Sequence, residues 1–526
     1  MNLRNRKLIL TIVCVLMIVI GLGSRIYSYS LSISNYPLAT DWSESGRIFE
    51  AAAIYSPIVF GKALPWPWLD PGKAILEGLV LLIPGSQIWM YRFWLVLLSV
   101  FATAFTSILI LRTVWNKSPQ KEHNQRNALL PIALVAWGIL YVLQCPIYYH
   151  VLLGAILVLW LLNLDKPIIT LIAVIIASAW EGLCRVNWFF MPALLVVTIY
   201  FLSVPVTGRK LFRYLLWPFI WCISGTLVSL ITYYLFIKLS NHVIPFFNLN
   251  MHYGFFRFKL WPNNAFKLGL IPGVILLSAP IIGIVLVELS RIIRKVHWIR
   301  WSALVIILVV LFVGSTIVSL RAGGGFDLHN YDTFALILFV FGIYCGLGAV
   351  RLDKLDSSLP RPLLDNRFVL IGLLSVPMFF ALGSIHAPKD LPVQEAKDSI
   401  QQLQTIIQET NGRKSPILFI DNRHLLVYNT VPPVELYMPY EKIDLMEMAM
   451  ANNNPYLNQF WEDIKGHKFS LIVSEKLQLA KQDINSPLGY ENNVWVASVS
   501  DPILRYYRPI YQGSGFVVYS PKLGAH

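Results

Sequence analysis

Long apolar segments separated by short polar loops fill the first three quarters of the chain. Each segment has the composition of a membrane helix, although several are shorter than the ~20 residues of a perpendicular crossing. The pattern therefore predicts a polytopic α-helical membrane protein with about eleven transmembrane helices in a module spanning residues 1–383. The predicted segments are residues 8–22, 93–111, 129–144, 151–162, 167–179, 189–202, 214–237, 268–287, 301–320, 333–350 and 368–382.

The pattern changes after residue 383, where polar and apolar positions alternate as in a globular protein. The periodicity predicts helices over residues 393–410 and 441–464. Short β-rich runs predict strands over residues 416–420, 469–474 and 516–520. Residues 384–526 are therefore expected to form a small α/β domain.

Composition and charge agree with a membrane location. Only 14% of the residues are charged, against about 25% in soluble domains. The formal charge of +14 lies mostly in alternate short loops, which places those loops in the cytoplasm and argues against a nucleic-acid partner. The sequence thus predicts a multi-pass protein of the cell membrane with a cytoplasmic N-terminus. The first loop (about residues 24–91) and the C-terminal domain are expected on the extracytoplasmic side. The five cysteines suggest neither a disulfide framework nor a zinc site.

Two acidic residues stand out in the first loop. Asp41 and Glu44 precede a short apolar stretch, and ionisable residues at a membrane boundary are candidates for function. The loop segments 47–60 and 65–72 favour helices that lie in the membrane interface. An alternative reading of Asp41 and Glu44 is a helix-capping box, in which Asp41 binds the first-turn amides.

Two further outer loops carry polar residues. Glu181, Arg185 and Asn187 lie between two apolar segments, where charge is costly unless it lines a wet cavity. The alternative is an ion pair between Glu181 and Arg185 that only supports a helix end. His252 lies in an aromatic, basic loop over residues 241–267, for which helix anchoring at the interface is the stronger interpretation.

The stretch from Arg321 to Asp332 predicts a phosphate site. Its glycines allow backbone amides to face an anion, and the following helix presents its N-terminus to the same space. A guanidinium and an imidazole add donors. The alternative is a flexible turn with a capping residue. The candidate residues here are Arg321, Gly323, Gly324, Gly325, His329 and Asn330.

In layout, the chain resembles the GT-C superfamily of integral-membrane glycosyltransferases. The specific resemblance lies in Asp41-Trp42-Ser43-Glu44 within the first outer loop. Residues 323–330 and 440–450 also look like uncharacterised bacterial members of this superfamily. The resemblance implies transfer of a sugar from a polyprenyl-phosphate donor to an acceptor hydroxyl on the extracytoplasmic face. The acceptor would be a lipid, glycan or protein of the cell envelope.

The resemblance also implies roles for the candidate residues. Asp41 would act as general base, and Glu44 would orient Asp41 or a sugar hydroxyl. The leaving phosphate would be stabilised by Arg321, Gly323, Gly324, Gly325, His329 and Arg185, with Asn187, Asn330 and His252 as further cavity residues. No cofactor or metal site is expected, and nothing in the sequence supports a divalent cation. The competing interpretations are a transporter or flippase of lipid-linked glycans and a non-catalytic envelope scaffold. No internal repeat favours a transporter.

Overall fold

A computed structural model describes residues 3–115, 129–144, 147–206, 208, 210–240, 255–321, 325–354, 362–410 and 415–522. Within this part of the chain, every predicted apolar segment overlaps a helix, so their helical nature is confirmed. The helices before residue 384 are α1 (Leu3–Ser30), α2 (Glu44–Ile54), α3 (Ser56–Val59), α4 (Pro71–Gly78), α5 (Ile88–Trp115), α6 (Leu129–Gln144), α7 (Tyr149–Leu161), α8 (Pro167–Gly182), α9 (Met191–Ser203), α10 (Leu211–Leu239), α11 (Leu270–Ile292), α12 (Trp298–Leu320), α13 (Asp332–Gly346) and α14 (Arg367–Gly383).

The chain is a helical membrane protein with a small C-terminal sheet. Among the described residues, six helices are long and apolar enough to cross a bilayer. Helix α13 is shorter, and its side chains are buried along its whole length. It therefore forms the centre of the bundle rather than its lipid-facing surface. The six helices are Leu8–Ser32, Ile88–Trp115, Val186–Ser203, Leu211–Leu239, Leu270–Ile292 and Trp298–Leu320.

Small residues let α8 and α10 approach closely. A Cβ atom on Gly182 would lie 2.6 Å from the carbonyl oxygen of Ser229, and one on Gly225 would lie 3.0 Å from Ser178 Oγ. Glycine at these positions removes the atoms that would keep the backbones apart, as is common between membrane helices. This close packing fixes the end of α8, from which the Arg185 loop emerges.

The bundle has two distinct ends. One end carries the first loop, the Arg185 loop and the C-terminal domain, and is called the domain end. There the Gly72 amide donates to Leu183 O at 2.7 Å. At the opposite end, the buried Arg300 guanidinium donates to Phe201 O (2.6 Å) and to Asp353 Oδ2 (2.7 Å). Arg300 thereby joins the start of α12 to the end of α9 and to the segment after α13.

The C-terminal domain is built on a four-stranded sheet. The strands β1 (Ile417–Phe419), β2 (Leu471–Ser474), β3 (Tyr507–Gly513) and β4 (Phe516–Pro521) lie in the order β1-β2-β4-β3, with β1 and β2 parallel and the other pairs antiparallel. Its helices are α15 (Val393–Thr410), α16 (His424–Val427), α17 (Lys442–Met450), α18 (Asn454–Lys465), α19 (Gly489–Trp495) and α20 (Asp501–Tyr506). Alternate strand residues face two apolar cores, one covered by α15 and the other by α17 and α18.

One prediction for this domain is wrong, and one strand was missed. The single helix predicted over 441–464 is two helices, because the chain turns at Asn452, which has a positive φ of 50°. Asn453 then caps α18 by accepting a hydrogen bond from the Tyr456 amide. The strand β3 was not predicted, because its residues alternate weakly and most are exposed.

Candidate functional site

Asp41 lies in the turn before α2 with its carboxylate partly open to solvent. Its Oδ1 accepts hydrogen bonds from the Ser43 amide (2.9 Å) and hydroxyl (3.1 Å), and its Oδ2 pairs with Arg47 Nη2 at 2.7 Å. Ser43, not Asp41, occupies the N-cap of α2, so the capping-box alternative for Asp41 is wrong. Burial raises the pKa of Asp41, but the charge of Arg47 and the bonds from Ser43 outweigh burial and hold it below its ordinary value. Asp41 is therefore ionised at neutral pH.

Glu44 is buried and fully engaged within the protein. Its carboxylate receives Arg92 Nε (2.7 Å) and Nη2 (2.9 Å), together with the amide and hydroxyl of Thr40. Arg92 also donates to the carbonyl oxygens of Ser34, Tyr36 and Leu38. The pair thus anchors the segment that leads to Asp41. None of these bonds joins Glu44 to Asp41, and both carboxylate oxygens are occupied within the protein. The geometry therefore gives Glu44 a structural role, which is to bind Arg92 and Thr40.

Glu77 joins α4 to α5 and α7. Tyr91 and Tyr149 both donate to its carboxylate, and Lys73 Nζ lies 3.8 Å from Oε1. Burial lowers the pKa of Arg47, but the charges of Asp41 and Glu77 outweigh burial and raise it. Arg47 therefore lies in the field of both carboxylates. Sequence reasoning missed this cluster, and its only local signal was the i,i+4 spacing of Lys73 and Glu77.

Arg185 joins the loop after α8 to the start of α13. It donates to Asn330 Oδ1 at 2.9 Å and to Asp332 Oδ2 at 3.3 Å. The buried Asp332 also accepts from Trp188 Nε1 at 2.6 Å. Arg185 bonds these residues rather than Glu181, so the alternative of a local Glu181–Arg185 pair is wrong.

The ring of Tyr148 lies between Lys73 of the first loop and the Arg185 and His329 side chains. The Arg185 guanidinium is 5.0 Å from its centroid, and Lys73 Nζ is 5.8 Å from it. The His329 ring packs edge-on against it at 6.1 Å. Tyr148 therefore gathers three groups that are cationic or able to become so. They come from the first loop, the α8–α9 loop and the turn before α13.

His329 occupies the turn that was predicted to hold phosphate. Its Nδ1 is hydrogen-bonded to Asp327, and its Nε2 has no hydrogen bond among the described residues. Burial raises the pKa of Asp327, but the bonds from His329 outweigh burial and lower it. The helix predicted to begin at 330–333 does so at Asp332. Gly323 and Gly324 lie outside the described residues.

The remaining predicted residues lie in different surroundings. Arg321 lies over the Phe255 ring at 5.8 Å, and Lys259 Nζ donates to its carbonyl oxygen at 2.7 Å. Within the described ranges, Arg321 forms no hydrogen bond or ion pair with Arg185 or His329. The Arg321 Nε and Asn187 Nδ2 atoms are buried without hydrogen-bond partners there. His252 lies outside the described residues. The structure thus groups Arg185, His329 and Asn330, and it leaves Arg321 apart.

The C-terminal domain contacts the first loop on both sides of Asp41 in the sequence. His424 Nε2 lies 3.0 Å from Pro37 O, and Trp68 Nε1 donates to Asp444 Oδ1 at 2.7 Å. Lys442 Nζ lies 4.7 Å from the Trp42 ring centroid and pairs with Asp421 at 2.8 Å. The domain therefore contacts the residue next to Asp41 directly.

Lys442→Met should loosen the Asp41 turn and also lower the stability of the C-terminal domain, because the Lys442–Asp421 pair is buried. The substitution removes the cation from the Trp42 ring and its ion pairs with Asp421 and Glu475. We expect amide hydrogen exchange over residues 40–47 to accelerate about tenfold, because a lost interaction of about 1–2 kcal/mol shifts a local opening equilibrium by that amount. Exchange mass spectrometry on the full chain measures this.

Lys468→Met is the matched control for Lys442→Met. Lys468 pairs with Asp463 at 2.8 Å and lies 4.8 Å from the Tyr437 ring, but all these contacts are inside the domain. It should leave exchange over residues 40–47 unchanged. Equal exchange in both variants would show that Lys442 does not hold the turn.

Gly325→Ala should displace His329. Gly325 has a φ of +70°, and an added Cβ would lie 2.3 Å from His329 Cε1. The backbone strain should lower the free energy of unfolding by about 1–2 kcal/mol. Gly85→Ala separates strain from collision, because Gly85 has a φ of +72° and nothing within 4 Å of its Cβ position. Both variants should lose similar stability in thermal unfolding, and only Gly325→Ala should shift the NMR signals of the His329 imidazole. Unchanged His329 signals in Gly325→Ala would show that the added Cβ does not displace the ring.

No family model matches the chain, and no curated protein matches it. Function is therefore inferred from the site itself.

Proposed function

We propose that this protein is a GT-C-type glycosyltransferase that moves a sugar from a polyprenyl-phosphate donor to an acceptor hydroxyl. One observation carries the proposal. An ionised carboxylate in the first loop pairs with Arg47, and Glu77 of the same loop lies beside Lys73, which approaches the Tyr148 ring together with Arg185 at the domain end of the bundle. A base and a group of cationic donors beside apolar helices suit a reaction in which a lipid-linked phosphate departs.

The proposed reaction is a single displacement at the anomeric carbon. Asp41 accepts the proton of the acceptor hydroxyl, whose oxygen forms the new bond to that carbon. The bond to the phosphate oxygen breaks, and polyprenyl phosphate leaves with the electron pair. Arg185, Lys73 and His329 stabilise the charge that develops on the leaving group. Removing one such preorganised donor typically costs about 3–4 kcal/mol of transition-state stabilisation.

The proposal assigns the domain end to the extracytoplasmic side of the cell membrane. Eleven apolar helices then cross or enter the bilayer, with the N-terminus in the cytoplasm. Arginine and lysine are concentrated in the connections at the opposite end, such as Arg291, Arg294 and Lys295, which agrees with the positive-inside rule. The C-terminal domain would then fix the position of the Asp41 turn relative to Arg185, Lys73 and His329.

Reconstitution in liposomes tests this function. The full chain would receive a polyprenyl phosphate carrying a radiolabelled sugar, with lipid, glycan and peptide acceptors in separate reactions. The proposal expects label on one acceptor class together with free polyprenyl phosphate. Label that crosses the bilayer but remains on polyprenyl phosphate would instead indicate a flippase. Label that neither moves nor crosses would leave a scaffold as the function.

A further inference from the structure

A polar cavity lies at the end of the bundle opposite the domain end. It has a volume of about 380 Å³ and opens between the ends of α5, α7 and α9. Its polar lining includes Arg112, Asn163, Asp165 and Arg351, and its apolar wall includes Leu159 and Trp160. The volume is within the range of small-molecule sites. The cavity shares no residue with the cluster around Tyr148.

Among the described residues, neither Arg112 nor Arg351 forms a side-chain hydrogen bond or an ion pair. The backbone of Arg351 is bonded to Leu202 and to Arg300. Arg300 at the same end is, by contrast, buried and saturated. Two arginines that line one cavity and have no side-chain partner among the described residues are suited to a phosphate, which they can bind with several charge-assisted hydrogen bonds.

Asn163 and Asp165 also line the cavity, and the carboxylate of Asp165 reduces its net positive charge. Asn163 Oδ1 accepts the amides of Asp165 and Lys166, while its Nδ2 has no hydrogen bond within the described ranges and remains a donor. The Asp165 carboxylate has no ion pair there and opposes an anion. Two arginines and one aspartate give the lining a net charge of +1, which matches the single negative charge of a phosphodiester.

We propose that this cavity binds the phosphodiester headgroup of an anionic phospholipid, independently of the reaction proposed above. The apolar wall favours a lipid over a soluble phosphate, because the Trp160 side chain is 59% exposed beside the cavity. An exposed tryptophan at a bundle end is typical of the membrane interface. Basic pockets between helices at the cytoplasmic face are known to hold lipid headgroups.

Native mass spectrometry of the full chain in detergent tests the site, with phosphatidylglycerol and phosphatidylcholine as lipid probes. Phosphatidylglycerol should be retained more tightly, because the choline charge offsets the phosphate. The double variant Arg112→Gln/Arg351→Gln should weaken phosphatidylglycerol binding at least tenfold. Asp165→Asn should tighten it, because it removes the opposing charge. Arg294→Gln is the control, since this exposed arginine lies at the same end outside the cavity.

Inorganic phosphate and glycerol phosphate distinguish the two sources of the ligand. If they bind and depend on both arginines while phosphatidylglycerol is not retained, the phosphate site stands but its natural ligand is soluble. Binding of phosphatidylglycerol by the double variant as tight as that of the wild type would overturn the proposal. The unfolding temperature of each variant without lipid shows whether it is folded. Arg112 and Arg351 are both exposed, so their substitution should leave the fold intact.

Discussion

Asp41→Asn should reduce sugar transfer by about 10²–10⁴-fold, the usual contribution of a general base. Asparagine can still accept the hydrogen bonds from Ser43, but it cannot take a proton from an acceptor hydroxyl. The stability change should be small, because the Asp41–Arg47 pair is partly exposed, with 52% of the Asp41 side chain and 26% of the Arg47 side chain accessible. Such pairs contribute about 0–1 kcal/mol. Initial rates of transfer in liposomes and thermal unfolding in detergent measure the two effects.

Asp501→Asn provides a matched control for the charge change at Asp41. Asp501 pairs with Arg505 at 2.8 Å on the surface of the C-terminal domain, away from the first loop. It should transfer sugar at the wild-type rate. If Asp41→Asn also stays within about threefold of wild type, Asp41 is not the base, since a base contributes far more.

The pH dependence gives an independent test of the Asp41 role. Its pKa in the folded protein is lowered, so the carboxylate is present above the ordinary aspartate value of about 4 and is lost only at lower pH. Asp41 should therefore cause no loss of transfer between pH 8 and pH 5. If the transfer rate does fall between pH 8 and pH 5, another group is titrating. A substitution that abolishes this fall would identify the residue that carries that group.

Local patterns predicted the helices well and the partners of polar residues poorly. The apolar segments were found because burial in a bundle or bilayer imposes runs and periods that are visible in the sequence. The strands β1, β2 and β4 were found because each is a short apolar run beside a turn. In contrast, Arg92 was overlooked because its partner Glu44 is 48 residues away, and no local spacing encodes such a pair.

The same limit explains the two wrong alternatives. The spacing of Glu181 and Arg185 suits a local ion pair, but the buried Asp332 requires a cation and is 147 residues from Arg185. Glu181 is buried as well, and neither of its carboxylate oxygens has a hydrogen-bond partner among the described residues. The capping box failed because Glu44 accepts the Thr40 amide while Arg92 neutralises it. In both cases an arginine binds a carboxylate that is distant in the sequence.

Arg92→Met should lower the free energy of unfolding by about 3–5 kcal/mol, the usual result of removing one partner from a buried ion pair. Methionine retains much of the side-chain length but leaves Glu44 buried, with only 5% of its side chain exposed. It also leaves the carbonyl oxygens of Ser34, Tyr36 and Leu38 without their donor. Chemical unfolding in detergent measures the loss. Arg505→Met, which breaks an exposed pair, should change stability by less than about 1 kcal/mol.

The double variant Arg92→Met/Glu44→Gln separates charge from the lost backbone bonds. If the unpaired Glu44 charge is the main penalty, neutral glutamine should recover a large part of the stability lost in Arg92→Met. The pH dependence has a definite sign. Burial raises the pKa of Glu44, but the Arg92 bonds outweigh it and lower the pKa, so the pair stabilises the fold above the ordinary glutamate pKa and is lost on acidification. In Arg92→Met this dependence should reverse, because protonation then relieves a buried charge. A loss below about 1 kcal/mol, or an unchanged pH dependence, would mean that the pair does not hold the Asp41 segment.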